Sequence, residues 1–214
     1  MKIIDLTHVI SEDMPVYPGT ETPKLNTANT LEKDGFKETL MIMYSHTGTH
    51  MDPPAHLYAQ GATLDAMPIT NFVGKGFVVD CTDLKEGELI TMDKINRNKA
   101  KVEEAEFILF NTGWSRYWGK DEYYGKFPVA DKEVVEYLAR NKKKGFGVDV
   151  ISIDSMEAED LPSHQVILSS GMVIIENLVN LDQVGSDIFT VCLLPLKWKD
   201  ADGSPIRAIA ILDD

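Results

Sequence analysis

The sequence predicts a mixed α/β chain, rich in strands and folded as one domain over residues 1–214. Three observations carry that prediction. Short runs of Ile, Val, Leu and Phe recur at strand length along the whole chain. A few amphipathic helical patterns lie between them. No internal repeat, low-complexity tract or Pro/Ser-rich linker separates two halves.

Ile3, Ile4, Leu6, Val9 and Ile10 open the chain as a strand over residues 1–10, which runs into an ordered loop at Pro15-Val16-Tyr17-Pro18-Gly19. Residues 37–45 form a second strand that ends where the histidines begin. Further strands are expected at 75–80, 105–111, 146–153, 172–175, 187–194 and 206–212. Helices are expected at 91–98, 131–144 and 163–170. The middle one has Asp131 as N-cap, Val134, Val135 and Leu138 at helical spacing, and Gly145 just past its end. Lys142 to Lys144 read as its solvated last turn, where positive charge suits the helix dipole.

Composition excludes several function classes. Forty-three per cent hydrophobic and 26% charged residues describe an ordinary globular chain. A net charge of −13 and a pI of about 4.8 argue against nucleic acid as a partner, because neutralising phosphates needs a basic face. No apolar run reaches the roughly 18 residues of a membrane span. Lys2 and Asp5 stand where a signal peptide would need an apolar core, and Cys81 and Cys192 are too few for a disulfide framework. The expected location is the cytoplasm, with both cysteines as core thiols.

Three of the five histidines, His46, His50 and His56, fall within eleven residues, together with Asp52. Imidazole and carboxylate are the usual ligands of zinc and similar divalent ions, at about 2.0–2.2 Å from one metal. A straight strand would hold His46 and His50 roughly 13 Å apart at about 3.3 Å per residue. A helix is opposed by Thr47-Gly48-Thr49 between them and Pro53-Pro54 after them. A bend at Gly48 is therefore expected, bringing His46, His50 and Asp52 together, while the prolines aim His56 back as a proton carrier. The alternative is a group of surface or core histidines without metal. His164 and Glu176, on either side of Gly171, form a second candidate pair whose spacing alone does not show that they meet. Tyr17, Trp114 and Trp118 are candidates for an aryl pocket or for core packing. The chain has no G-x-S-x-G elbow, phosphate loop, G-x-G-x-x-G fingerprint or C-x-x-C pair, which removes the serine-nucleophile, nucleotide and zinc-ribbon readings.

The run from His46 to His56, His-Thr-Gly-Thr-His-Met-Asp-Pro-Pro-Ala-His, resembles the H-x-G-T-H-x-D-x-P-x-H signature of the metal-dependent cyclase family, which includes bacterial kynurenine formamidases and isatin hydrolases. Ile4-Asp5-Leu6-Thr7, the stretch from Pro15 to Gly19, Asn111-Thr112-Gly113-Trp114 and the segment from His164 to Leu181 extend the likeness over most of the chain. The resemblance implies a swivelling β/β/α domain. It also implies that His46, His50 and Asp52 bind one metal, that Asp52 and Glu176 bridge to a second held by His164, and that His56 is the catalytic proton donor or acceptor. Tyr17 stands where formamidases carry a substrate-stacking Trp, and Ile153-Asp154-Ser155-Met156-Glu157 departs from their Thr-Pro-Ser pattern.

The expected activity is hydrolysis of a small amide, as in an arylformamidase converting N-formylkynurenine to kynurenine and formate. One or two zinc ions, or manganese, would serve as cofactor, and the protein would be a homodimer or homotetramer. Two alternatives stand beside it: an isatin-hydrolase-like lactam opening with a single manganese that leaves His164 and Glu176 outside the ligand set, and a non-catalytic metal-binding protein.

Overall fold

The computed structural model describes residues 1–212. In chain order the strands are β1 (Lys2–Asp5), β2 (Lys24–Asn29), β3 (Glu38–Ile42), β4 (His50–Asp52), β5 (Val73–Asp80), β6 (Leu89–Ile90), β7 (Phe107–Asn111), β8 (Val129–Ala130), β9 (Gly145–Val148), β10 (Val173–Glu176), β11 (Phe189–Pro195) and β12 (Ser204–Leu212). The helices are α1 (Leu31–Asp34), α2 (Met92–Arg97), α3 (Lys99–Glu104), α4 (Lys132–Arg140) and α5 (Pro162–Ser169). The chain is thus strand-rich α/β, as its apolar runs predict.

Eight strands form one sheet in the order β1-β12-β11-β5-β7-β9-β10-β4, and a further pairing of β4 with β12 closes it on itself. Strands β5, β7, β9 and β10 run parallel, and the rest pair antiparallel. Closure follows from the length of β12: its first residues pair with β4 while its later ones pair with β1. Alternation along the strands then builds two apolar cores. Phe107 and Leu109 of β7 point inside with Met51, Ile175, Val191 and Leu193, whereas Ile108 and Phe110 point outward. The outer core is covered by Ile95 of α2, Val134, Val135 and Leu138 of α4, and Ile167 and Leu168 of α5.

Helix α4 begins as expected, with the Asp131 side chain accepting from the Val134 amide at 2.9 Å. It ends at Arg140, earlier than residue 144; Lys142 beyond it is exposed as expected, but Lys143 and Lys144 turn back to the protein. Lys143 is buried and its Nζ donates to the carbonyls of Val102, Glu103 and Ala105 at 2.5–3.0 Å, satisfying the end of α3. Lys144 pairs with Glu106 at 2.7 Å. The strand expected over 146–153 stops at Val148, and the backbone beyond it turns to carry Asp149 and Asp154. Strand β3 matches the expected strand over 37–45, but it pairs with β2, which has no strong apolar pattern. That hairpin leaves Leu40, Met41 and Ile42 exposed. Among the described residues, no helix is long and apolar enough to cross a membrane.

Candidate metal centre

The bend required by the histidine spacing is present: Gly48 has φ +65°, a conformation that favours glycine. Beyond it, residues 50–52 form the short strand β4 rather than a loop, and its period of two places His50 and Asp52 on one side while Met51 enters the inner core. The cross-strand register sets Glu176 of β10 directly opposite His50. His164 enters from the first turn of α5, and His56 from a 3₁₀ turn over Pro54–His56 that the prolines start. Two elements distant in sequence, α5 and β10, thereby converge on the histidine run.

Asp52 stands at the middle. Its Oδ1 lies 2.6 Å from His46 Nδ1 and 3.3 Å from His50 Nε2, and its Oδ2 lies 3.8 Å from His164 Nε2. Glu176 lies 3.5 Å from His50 Nε2 and 3.4 Å from His164 Nε2. His46, His50 and Asp52 form one triad whose ligand atoms all lie within 4.8 Å of one another, and Asp52, His164 and Glu176 form a second that shares the aspartate. His50, Asp52, His164 and Glu176 are each at most 5% exposed.

Two carboxylates so deeply buried need positive charge. Without metal, the imidazoles supply it. Burial pulls the pKa of His50 down, but Asp52 and Glu176 outweigh burial and hold it at about 9. Burial likewise opposes the charge on His164, yet the hydrogen bonds to Asp154 and Glu176 hold it at about 10. Burial raises the carboxyl of Asp52, and the neighbouring histidines reverse that, holding it well below the usual carboxylate range. The donor set, three imidazoles around two buried carboxylates, fits a divalent cation.

Contacts behind the ligands fix their orientation. His50 Nδ1 donates to the Gly48 carbonyl at 2.8 Å, and Asn177 Nδ2 donates to the same oxygen at 2.9 Å. Asn177 in turn accepts from the buried Tyr123 hydroxyl at 2.7 Å. His164 Nδ1 lies 2.7 Å from Asp154 Oδ2, and Asp154 also accepts from the backbone amides of Ser163 and His164. Such partners hold the tautomer that leaves Nε2 free for a metal. Asp154 and Asn177 were not singled out in the sequence. Asp154 lies in a segment noted only for departing from a motif, and Asn177 adjoins Glu176 without any sign of its contacts.

The centre opens into a pocket of about 470 Å³ lined by Tyr17, Tyr44, Ile151 and Leu161 besides the triads, His56 and Asp202. Among the described residues, no lysine or arginine lines it. Tyr17 is at this pocket, as expected, but Trp114 is elsewhere. Its buried ring packs on Tyr117 and Phe127, and its Nε1 donates to the Tyr123 carbonyl. The reading of Trp114 as a substrate contact is corrected accordingly: Asp149 accepts from its backbone amide, and that turn directs the indole into the outer core. Trp118 stacks on His8 at 3.8 Å. His56 is half-buried beside the triads, with its ring centroid 4.1 Å from that of His46 and 6.1 Å from that of His164. Burial lowers its pKa.

Comparison with known proteins shows the family of the chain. An uncharacterized protein of Methanocaldococcus jannaschii is 35% identical over 99% of this chain and 100% of its own length. A kynurenine formamidase of Bacillus thuringiensis is 28% identical over 96% of this chain and 95% of its own. The structure of isatin hydrolase A from Labrenzia aggregata superposes with a TM-score of 0.89 over 99% of this chain and 94% of that one, at 24% identity, a likeness of fold. The Cyclase family model matches residues 4–155, a stretch that holds His46, His50, Asp52 and His56 and runs from β1 to beyond β9, and the chain belongs to that family.

Proposed function

We propose that this chain is a metal-dependent hydrolase of a small amide, with arylformamidase activity on N-formylkynurenine as the specific reading. The observation that carries it is the pair of triads sharing Asp52, with His56 beside them in a pocket flanked by Tyr17 and Tyr44. The formamidase relatives support it along nearly the full length of the chain.

His46, His50 and Asp52 would hold one divalent ion, and Asp52, His164 and Glu176 a second. When bound, the ions supply Lewis acidity, making water available as a nucleophile near neutral pH and polarising a carbonyl. The chain's own residues do the rest. Tyr17 and Tyr44 offer ring faces to an aryl group. His56, kept neutral by burial, accepts the proton of the attacking water as the new C–O bond forms, then delivers it to the leaving nitrogen as the C–N bond breaks. His56→Ala is expected to lower turnover by about 10²–10⁴-fold while metal content stays at the wild-type level. Loss of metal in that variant would make His56 a ligand instead.

A second reading, opening of a neutral lactam, is favoured by the absence, among the described residues, of any lysine or arginine in the pocket lining that would pair with a substrate carboxylate. The test that separates them is elemental analysis of protein purified without chelator, alongside turnover of N-formylkynurenine and isatin before and after metal removal. Close to two ions with restorable formamidase turnover supports the first reading. A single ion with lactam opening alone supports the second, and absence of metal removes both. We further propose a cytoplasmic homodimer or homotetramer, an assembly that would cover the exposed apolar residues of β3.

A further inference from the structure

Each metal-directed histidine has one nitrogen turned toward the buried carboxylates and the other turned away. For His50 the outward nitrogen meets the Gly48 carbonyl at 2.8 Å, and for His164 it meets Asp154 at 2.7 Å. His46 has the opposite sense: Nδ1 faces Asp52 at 2.6 Å and Nε2 faces outward. That Nε2 is buried and, among the described residues, has no hydrogen-bond partner. A buried ring nitrogen left without a partner is unfavourable and unusual. It faces Asp202 Oδ2 at 3.6 Å, from the loop between β11 and β12. The next residue, Gly203, lies so close that a Cβ there would sit 2.5 Å from Nε2. The Asp202-Gly203 corner therefore already packs against the outer edge of the ring.

We propose that Asp202 is the positioning residue for His46: its carboxylate accepts from Nε2–H when Nδ1 is committed to a metal ion. This completes for His46 the outward partner that the other two histidines have within their own surroundings, and it rests on the metal-centre reading above. Asp202 is half-exposed and 3.6 Å is beyond hydrogen-bond distance, so a shift of less than about 1 Å of the loop closes the contact. Such outer partners commonly contribute 10–100-fold to metal affinity.

The same atoms could be taken another way, since His46, His56 and Asp202 also offer ligand atoms within 4.8 Å of one another. An ion there would compete for His56 and would need both nitrogens of His46 free of protons whenever the first triad is loaded, which disfavours it.

The test measures Zn²⁺ affinity and stoichiometry by competition with a chromophoric chelator for the full chain, Asp202→Ala and Asp202→Asn. Nitrogen-15 spectra of the histidine rings in zinc-loaded wild type are recorded alongside. The expected results are a 10–100-fold loss of affinity for one ion in Asp202→Ala with the number of ions unchanged, recovery of most of that loss in Asp202→Asn, and a proton on Nε2 of His46 in the wild type. Unchanged affinity in Asp202→Ala overturns the proposal while leaving the metal centre standing. One ion fewer in Asp202→Ala makes Asp202 a ligand, and zinc on Nε2 in the spectra reverses the tautomer; either overturns it. Failure of the wild type to bind zinc overturns both this proposal and the metal-centre reading.

Discussion

Replacing Gly203 with alanine probes the geometry of the first triad most directly. The added Cβ would lie 2.5 Å from His46 Nε2 and 2.9 Å from Nδ1, with Cε1 also in contact. Comfortable separation is about 3.5–4.0 Å, so the ring or the loop must retreat by roughly 1 Å. A ligand position tolerates only about 0.2 Å, and disturbing what orients a ligand commonly costs about 10–100-fold in metal affinity. Zinc affinity at the first triad should therefore fall by about 10–100-fold, while the triad of Asp52, His164 and Glu176 keeps its ion. Overpacking should also lower metal-free stability by about 1–3 kcal/mol. Chelator competition counts ions and affinities, and a thermal melt of the metal-free protein reads the packing cost. Two ions at wild-type affinity in Gly203→Ala would refute the reasoning, because the ring would then have moved without consequence for the ligand set.

Two further expectations concern protons and the second triad. In the metal-free protein His50 and His164 titrate at about 9 and about 10, above the value near 6.5 of an unfolded chain. Their stabilising contribution is complete below about pH 6.5 and is lost as pH rises through about 9–10. The metal-free melting temperature should fall across that window. Zinc binding at pH 7 should release protons, visible as a calorimetric heat that depends on the buffer; a flat stability profile with no proton release counts against charged imidazoles at the centre. Asp154→Asn retains the shape but not the charge that holds His164 Nδ1, and affinity for the second ion should fall by about 10–100-fold with the first little changed. A second-ion affinity in that variant equal to that of the wild type would show that Asp154 only caps α5.

The histidine run was legible because its constraints are local. Gly48 must bend the chain, Pro53 and Pro54 exclude a helix, and the residue types admit few chemistries besides metal binding. The helix at Asp131 was legible for the same reason, since a cap and an apolar stripe sit within one short segment. Trp114 and Lys143 were misread because local sequence does not reveal which partner a side chain meets. The indole goes to the core because Asp149 shapes its turn, and Lys143 is drawn inward by open carbonyls on a helix some forty residues earlier in the chain.

What the sequence determined by itself was the strand-rich α/β class, the bend at Gly48 and the ligand types, because hydrophobic period, glycine freedom and side-chain chemistry act over a few residues. What only the tertiary structure decided was the meeting of His164 and Glu176 with that bend, and the approach of Asp202 to the free nitrogen of His46. Those depend on the register of β10 against β4 and on β12 closing the sheet, and strand pairing is a cooperative choice among distant segments that no local pattern encodes.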